Sequence, residues 1–378
     1  MKLTLFLNHR CNLRCTYCYT GEKFNRVMPR EIMERAVEFG LDEADKGYLL
    51  ISFFGGEPML ELELMEQAVE YAERRAAQRG KRMFWAMATN GTVLDDRRLR
   101  LLKDHRIQVQ VSLDGSPAAQ DATRRFRNGR SSYARIEANL LRLLGEGFQI
   151  RVVAVIDPRN AAYLGRSFDH LADLGVKQIL FSPNYNGGWT DEACETFEQA
   201  LRDLGQRYMA RFRAGQDVRL DPINGKVVTH LAQGYKEKNL CQFGQKEIAI
   251  SPSGKIYPCD RLVAEDNNPQ VWIGDLEQGL DLARRDAMVQ AKNTADPECA
   301  DCELRPRCMH WCGCANYETT GNVGQVSEVV CWFERCFIAE ADRVANELYA
   351  ERNPVFLRRF YVPEMPLPAR SDSDAKPT

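Results

Sequence analysis

The 13 cysteines of this 378-residue chain fall into groups, and the grouping limits what the chain can fold into. Three lie between residues 11 and 18, one stands alone at Cys194, and nine lie between Cys241 and Cys336. Disulfide frameworks belong to oxidising compartments and mostly to small secreted domains. The opening MKLTLFLNHRC has too short an apolar run for a secretory signal. We therefore expect a cytoplasmic protein whose grouped thiols bind metal.

Charge and composition exclude several classes of protein. The chain has 51 Lys+Arg and 53 Asp+Glu residues, a formal net charge of −2, so it lacks the basic excess of a nucleic-acid-binding protein. No apolar run approaches the ~18 residues that a membrane span needs. Hydrophobic residues make up 44% and charged residues 28%, which is typical of a globular chain. We expect a sizeable core and neither nucleic acid nor a membrane as partner.

Residues 1–213 alternate between short apolar segments and longer amphipathic segments. Strands are predicted to begin near Lys2, Tyr48, Met83, Ile107, Gln149 and Gln178, and helices are predicted over 30–46, 62–79, 95–104, 131–146, 160–174 and 191–213. A strand followed by a helix, six times over, predicts parallel strands with right-handed crossovers. Six units are fewer than the eight of a closed barrel. A partial (β/α)6 TIM-type barrel and an open doubly wound sheet both fit this α/β pattern.

The pattern changes after residue 214, where turn signals surround one short strand pair, EIAIS and KIYPC. The segment 299–336 has little periodicity, as expected where metal ligands fix the fold. A helix is predicted over 332–350, and the Pro-, Ser- and Asp-rich tail 362–378 is predicted to be disordered. The predicted organisation is a barrel over 1–213, a bridging segment over 214–240, a cysteine-rich domain over 241–348 and an extension over 349–378.

Cys11, Cys15 and Cys18 follow the first strand in CNLRCTYC. Structural zinc takes four closed ligands, which three thiolates cannot supply. A 4Fe–4S cluster held by three cysteines leaves one iron open to the amine and carboxylate of a cofactor. Chemistry in α/β barrels also lies at the carboxyl ends of strands. The spacing therefore favours iron–sulfur over the alternatives, a zinc knuckle or unpaired buried thiols.

CNLRCTYC resembles the C-x-x-x-C-x-aromatic-C signature of the radical S-adenosylmethionine (SAM) enzymes. Three further segments match that family in order, FFGGEP, ATNGT and SLDG, each at the end of a predicted strand. The resemblance implies that Cys11, Cys15 and Cys18 hold the cluster and that SAM contacts a set of further side chains. These are Tyr17, Gly55, Gly56, Glu57, Asn90, Ser112 and Arg124. For Asn90 and Ser112 a turn or cap role stays equally open.

The second cysteine group is similar to the SPASM domain, the auxiliary-cluster extension of radical SAM enzymes. The resemblance implies one 4Fe–4S cluster on Cys299, Cys302, Cys308 and Cys331, and three corners of another on Cys241, Cys259 and Cys312. With the SAM-binding cluster this makes three. The fourth corner stays open or is filled by Cys314, Cys336 or another group. A zinc ribbon built from C-x-x-C pairs is the alternative.

Asp260 follows Cys259 directly in YPCD. The resemblance to sulfatase-maturating relatives implies that this carboxylate is a base that deprotonates the substrate. A purely structural hydrogen bond is an equally open interpretation.

The resemblance implies an oxidoreductase that splits SAM to a 5′-deoxyadenosyl radical and abstracts a substrate hydrogen. We expect it to form a thioether or carbon–carbon cross-link in a ribosomally made peptide. Oxidation of Ser or Cys to formylglycine is the alternative, and a non-catalytic metal scaffold is the alternative of another class. The expected partners are a peptide or protein substrate and a flavodoxin- or ferredoxin-type electron donor. Since the first strand starts at Lys2, any leader peptide is expected to bind the groove between barrel and SPASM domain, the C-terminal region or a separate recognition protein.

Overall fold

The computed structural model describes residues 1–45, 47–294 and 296–361. The tail predicted over 362–378 lies outside the described residues. The strands are β1 (Lys2–Phe6), β2 (Leu13–Cys15), β3 (Tyr48–Phe54), β4 (Arg82–Thr89), β5 (Gln108–Ser112), β6 (Arg124–Phe126), β7 (Arg151–Ile156), β8 (Gln178–Pro183), β9 (Arg219–Asp221), β10 (Glu247–Ile250), β11 (Lys255–Tyr257), β12 (Gly274–Asp275) and β13 (Gly279–Leu280). The helices are α1 (Arg30–Glu43), α2 (Leu62–Gln78), α3 (Asp96–Asp104), α4 (Pro117–Thr123), α5 (Tyr133–Gly145), α6 (Leu164–Asp173), α7 (Asp191–Arg213), α8 (Ile223–Leu231), α9 (Leu282–Asn293), α10 (Gly313–Thr320), α11 (Glu328–Ala350) and α12 (Pro354–Phe360).

The main sheet has the order β13-β12-β11-β10-β1-β3-β4-β5-β7-β8-β9. All pairs from β10 to β9 are parallel, and the strands from β1 to β9 follow one another in chain order. A doubly wound sheet would reverse direction at a switch point, so the partial barrel is confirmed. Within the described part of the chain the sheet begins at β13 and ends at β9, so it stays open.

Alternating burial along the strands gives the barrel two different faces. Ile51, Val152 and Ile179 are fully buried on the face that the helices cover. In β5, β7 and β8 the residues that alternate with the buried ones are only partly buried. Several of them line an internal cavity, among them Ser112 and Ser182. Successive side chains of a strand point to opposite faces. The barrel interior is therefore available to ligands, unlike the filled interior of a closed eight-stranded barrel.

The six predicted strands and the helices between them are confirmed, with ends that differ by a few residues. The helix predicted from residue 160 begins at Leu164, because a 3-10 turn over Ala161–Tyr163 comes first. The helix predicted from residue 332 begins at Glu328, where the hydroxyl of Ser327 accepts a hydrogen bond from the Val330 N–H and caps the helix.

The segments predicted to follow the barrel are more continuous with it than the sequence indicated. The predicted strand pair is confirmed as β10 and β11, but β10 also pairs with β1 and extends the barrel sheet. The bridging segment contributes β9, which pairs with β8, and α8. Helix α11 packs on α7 and α8, and the buried Lys226 Nζ lies 2.5 Å from Glu334 Oε2 across that contact. Within the described residues no helix combines the length and apolarity that crossing a bilayer requires.

Candidate functional site

The three early cysteines lie together on the wall of one cavity of about 450 Å³ at the carboxyl ends of the barrel strands. Every residue predicted to contact SAM also lines this cavity: Tyr17, Gly55, Gly56, Glu57, Asn90, Ser112 and Arg124. Ligand cavities in proteins commonly hold about 300–1,000 Å³. The structure thus brings four separate sequence motifs to one space with the volume of a ligand site.

Burial and neighbouring charges affect the three thiols differently. Burial raises the pKa of Cys11, and it raises the pKa of Cys15 to about 12. Burial acts in the same direction on Cys18, but Lys23 and hydrogen bonds from Thr20 and Lys23 outweigh it and lower that pKa. Metal ligands must be thiolates, and buried thiolates need a positive partner.

The donor set on the cavity wall suits a cluster better than a single ion. Among the described residues no group of three His, Cys, Asp or Glu side chains is close enough to hold a single metal ion. An iron–sulfur cube is larger than an ion and accepts thiolates that lie further apart. The buried Nε of Arg124 also lacks a hydrogen-bond partner in the described part of the chain. Three soft thiols and one unsatisfied cationic donor on one cavity wall fit a cluster with a bound anionic ligand.

Gly55 and Gly56 let the loop after β3 lie directly against the cysteine loop. The N–H of Gly56 donates to Asn8 O at 2.7 Å, and the N–H of Glu57 donates to Arg10 O at 2.9 Å. A Cβ on Gly56 would lie 2.1 Å from Arg10 O, and Gly55 has a φ of +143°. Glycine has no Cβ to clash at position 56, and it adopts the positive φ at position 55 without strain. This contact fixes the GGE backbone beside Cys11.

The carboxylate of Glu57 joins the ends of β3 and β4. Its Oε1 accepts hydrogen bonds from Met59 N at 3.0 Å and Thr89 Oγ1 at 2.7 Å, and its Oε2 accepts from Asn90 N at 2.6 Å. Burial raises its pKa, and these three hydrogen bonds act against that shift. The side chain therefore orders the loop from inside the protein.

Asn90 and Ser112 were each predicted either to contact SAM or to serve as a turn or cap residue. The two side chains differ in the hydrogen bonds that they make. Asn90 Nδ2 donates to Asn12 Oδ1 at 2.9 Å and lies 3.6 Å from Cys11 Sγ, so the side chain holds the cysteine loop as well as lining the cavity. Its Oδ1 accepts from Thr92 N, which is a turn role. The Ser112 hydroxyl makes no hydrogen bond to another described residue, which leaves it available to a ligand in the cavity.

Tyr17 and Arg124 belong to a buried network centred on Asp114. The Tyr17 hydroxyl lies 2.6 Å from Asp114 Oδ2 and accepts a hydrogen bond from Arg124 Nη1 at 2.9 Å. Asp114 also accepts from Thr123 Oγ1 and from Val155 N. Burial raises the pKa of Asp114 and, still more, that of Tyr17. Sequence analysis had not singled out Asp114, although an acidic residue directly after a buried strand is a signal for such a role.

The four cysteines predicted to hold one auxiliary cluster line a second, much smaller cavity: Cys299, Cys302, Cys308 and Cys331. The first three lie on loops and 3-10 turns, and Cys331 lies in the first turn of α11. His310, Glu334 and the side chains of Arg305 and Arg335 complete the wall. The structure therefore brings together residues that are up to 32 positions apart in sequence.

Cys241, Cys259 and Cys312 pack around a separate small apolar core that contains Phe243 and Tyr257. Cys314, in the first turn of α10, is buried in the same core. Its Sγ lies 3.6 Å from Cys312 Sγ and shares a hydrogen bond with Cys259. The fourth cysteine at this place is therefore Cys314, whereas Cys336 lies beside Glu198 on α7, 3.9 Å from its Oε1.

Asp260 does not line the cavity; the described residues that do so from this segment are Arg261 and Glu318. Asp260 Oδ1 accepts a hydrogen bond from Arg261 N at 3.1 Å. Arg261 Nη2 lies 2.6 Å from Glu318 Oε2, and its guanidinium stacks 4.9 Å from the Tyr19 ring centre. The role of Asp260 as a base stays a prediction, and Arg261 is a cavity residue that sequence analysis missed.

Comparison with known proteins bears directly on this geometry. Residues 5–171, which include the cysteine loop and the strands up to β7, match the family described as Radical SAM superfamily. Residues 5–171 are a radical SAM domain. The match covers the first cysteine group and most of the strands whose ends form the cavity, whereas β8, which also lines it, lies beyond the matched residues.

Several relatives of the chain are maturases. A serine-type anaerobic sulfatase-maturating enzyme of Klebsiella aerogenes is 26% identical over 328 residues, 82% of this chain and 79% of that protein. A PqqA peptide cyclase of Gluconobacter oxydans is 22% identical over 376 residues, 95% of this chain and 98% of that protein. The solved structure "Native anSMEcpe with bound AdoMet" has a TM-score of 0.78 at 20% identity and covers 93% of this chain and 99% of that one. The fold is thus shared over nearly the whole chain.

Proposed function

We propose that this enzyme is a peptide or protein maturase that uses SAM and three 4Fe–4S clusters to form a cross-link in its substrate. One observation carries the proposal. The three early cysteines line an open cavity of about 450 Å³, whereas the nine-cysteine region provides one group beside a cavity of about 20 Å³ and one group packed against a small apolar core. The group with room beside it suits cofactor chemistry, and the two packed groups suit electron acceptance.

The chain's own residues have distinct tasks in this proposal. Cys11, Cys15 and Cys18 would hold the cluster, which would supply one electron to the sulfonium of SAM and so give methionine and a 5′-deoxyadenosyl radical. The GGE backbone binds the methionine amine, and Arg124 and Ser112 face the remaining polar groups of SAM. Tyr17 packs near the adenine.

Forming a cross-link requires acceptors for one electron and one proton, and we assign these tasks to the cysteine-rich region. One substrate hydrogen leaves as an atom that becomes part of 5′-deoxyadenosine. Closing the new bond then releases one proton and one electron from the substrate. Cys241, Cys259, Cys312 and Cys314 are proposed to hold the acceptor nearest the barrel, and Asp260 is proposed to take the proton. The remaining four cysteines would hold a second acceptor.

Peptide cross-linking is supported by a peptide cyclase that matches nearly the whole chain. The match to the PqqA peptide cyclase covers 95% of this chain, and the match to the Klebsiella sulfatase-maturating enzyme covers 82%. Formylglycine formation stays the second candidate because a sulfatase-maturating enzyme shows the higher identity. The solved structure "Native anSMEcpe with bound AdoMet and Cp18Cys peptide", at a TM-score of 0.77, supports a peptide substrate for either reaction.

Anaerobic reconstitution with iron and sulfide, followed by SAM and a reductant, tests the proposal. We expect 5′-deoxyadenosine without peptide and, with a peptide substrate, a product lighter by two hydrogens that does not react with a hydrazide. Hydrazide labelling would identify the aldehyde of formylglycine and favour the second candidate. A preparation that binds zinc, lacks iron and leaves SAM intact would contradict both.

A further inference from the structure

The two-stranded ribbon formed by β2 and β6 separates the cofactor cavity from solvent. The strands are antiparallel, with Arg14 opposite Arg125 and Cys15 opposite Arg124. Cys15 and Arg124 line the cavity. Because side chains alternate along a strand, Arg14 and Arg125 point to the outer face, and both are exposed. The ribbon therefore presents one cluster ligand inwards and two arginines outwards.

The arginine pair is unfavourable for the ribbon itself. Like charges directly opposite each other destabilise an antiparallel pair. Arg14 makes no ion pair or hydrogen bond with its side chain to another described residue. Arg125 reaches a carboxylate only at 3.9 Å, on Asp121. An anionic partner on the outer face would relieve this repulsion.

A third cavity, of about 490 Å³, adjoins the ribbon and shares Cys11 with the cofactor cavity. Its wall also carries Arg10, Lys23 and Arg127, and no carboxylate is present among its described lining residues. Arg10 is paired with Glu61. Lys23 Nζ donates to the oxygens of Thr20 and Gly21 and interacts with the Cys18 thiol, but no carboxylate pairs with it among the described residues. The exposed Arg127 side chain has no partner in the described residues. Cys11 thus lies between the cofactor cavity and a basic outer one.

We propose that Arg14, Lys23, Arg125 and Arg127 form the docking surface for a small acidic electron-transfer protein of the flavodoxin type. The inference rests on the proposed function, which requires one electron for each SAM that is cleaved. The reduced donor loses one electron, the cluster on Cys11, Cys15 and Cys18 gains it, and no atoms are exchanged. Complementary charge orients such a donor and speeds its encounter, and docking here places it one ribbon away from the ligand cysteines.

Binding of a purified acidic flavodoxin to the reconstituted holoenzyme tests the surface. We expect the triple variant Arg14→Glu/Arg125→Glu/Arg127→Glu to weaken binding by about tenfold or more at about 50 mM salt. The difference should shrink at about 300 mM salt, where exposed charges are screened. The matched control is Arg82→Glu/Arg100→Glu/Arg151→Glu, three exposed arginines on the other strands and helices, which should bind flavodoxin like the wild type.

A second measurement separates this inference from the proposed function. SAM cleavage driven by dithionite does not need a docked protein, so the triple variant should form 5′-deoxyadenosine at the wild-type rate. Absence of cleavage in the wild type would contradict the proposed function instead. Flavodoxin affinity equal in triple variant and wild type would overturn the docking surface. So would a single-stranded RNA that binds more tightly than flavodoxin and loses affinity in the same variant.

Discussion

The cavity on the first three cysteines has about 450 Å³ of free space, whereas the cavity on Cys299, Cys302, Cys308 and Cys331 has about 20 Å³. The first is built where strands end, with glycine backbone and free polar groups on its wall. The second is closed by side chains of α11, one of them Glu334, which is held by the buried Lys226. One cysteine group thus lies beside a cavity that a cofactor can enter, and the other lies beside a cavity that is too small for one.

The difference shows that a cysteine count alone does not assign a role; the space beside the sulfurs does. A group with one position left for a cofactor needs room for that cofactor, and a group with four cysteines does not. If this comparison is correct, damage to the two regions has separable effects.

The largest expected effect follows loss of a cysteine from the open cavity. Cys11→Ala removes one of three thiolates, so the cluster and its SAM site are both lost, and 5′-deoxyadenosine formation should fall by about 1,000-fold or more. Liquid chromatography of anaerobic reactions measures it. Cys194→Ala, a lone cysteine on α7, should match the wild type. Cleavage by Cys11→Ala at the wild-type rate would remove the basis of the comparison.

The second effect separates the two regions. Cys331→Ala opens the closed group, and the modified peptide should fall by about 100-fold while SAM cleavage without peptide stays within about threefold of wild type. Iron analysis should show a loss of about four iron atoms per chain. Parallel loss of SAM cleavage in Cys331→Ala and Cys331→Ser would mean that the regions are not independent.

The third effect concerns the close approach that shapes the open cavity. Gly56→Ala would place a Cβ 2.1 Å from Arg10 O, so the GGE loop must move away from the cysteine loop. We expect SAM affinity to fall by about 10- to 100-fold, measured by equilibrium dialysis. Gly145→Ala is the control, since its Cβ would meet nothing within 4 Å at the end of α5. Unchanged affinity in Gly56→Ala would show that this loop does not shape the site.

The barrel was predictable because its signals are local. A short apolar segment marked each of the six strands, and CNLRCTYC, FFGGEP, ATNGT and SLDG marked the cavity ends of four of them. All predicted SAM-contacting residues line one cavity for the same reason, since parallel strands end on one side of the sheet.

The parts that sequence did not predict depend on long-range pairing or on single turns. The strands β2, β6 and β9 have three residues each, too few to show a period. Pairing of β10 with β1 joins residues about 245 positions apart and leaves no mark in either segment. Cys314 reaches Cys312 only because α10 begins between them, which spacing alone left undecided.

The smallest expected effect tests how firmly the wall of the open cavity is held. Tyr17→Phe removes the hydroxyl that connects Asp114 with Arg124, leaving two buried charged groups with one partner fewer. Losing one such hydrogen bond costs about 1 kcal/mol or more, and we expect the dissociation constant of SAM to rise about 3- to 10-fold. Tyr19→Phe is a matched control, because no described residue bonds its hydroxyl while its ring packs near Phe54 and Arg261. Equal SAM affinity in both variants would assign the Asp114 network to folding alone, and the open cavity would then owe its shape to the glycine contact and the cysteine loop.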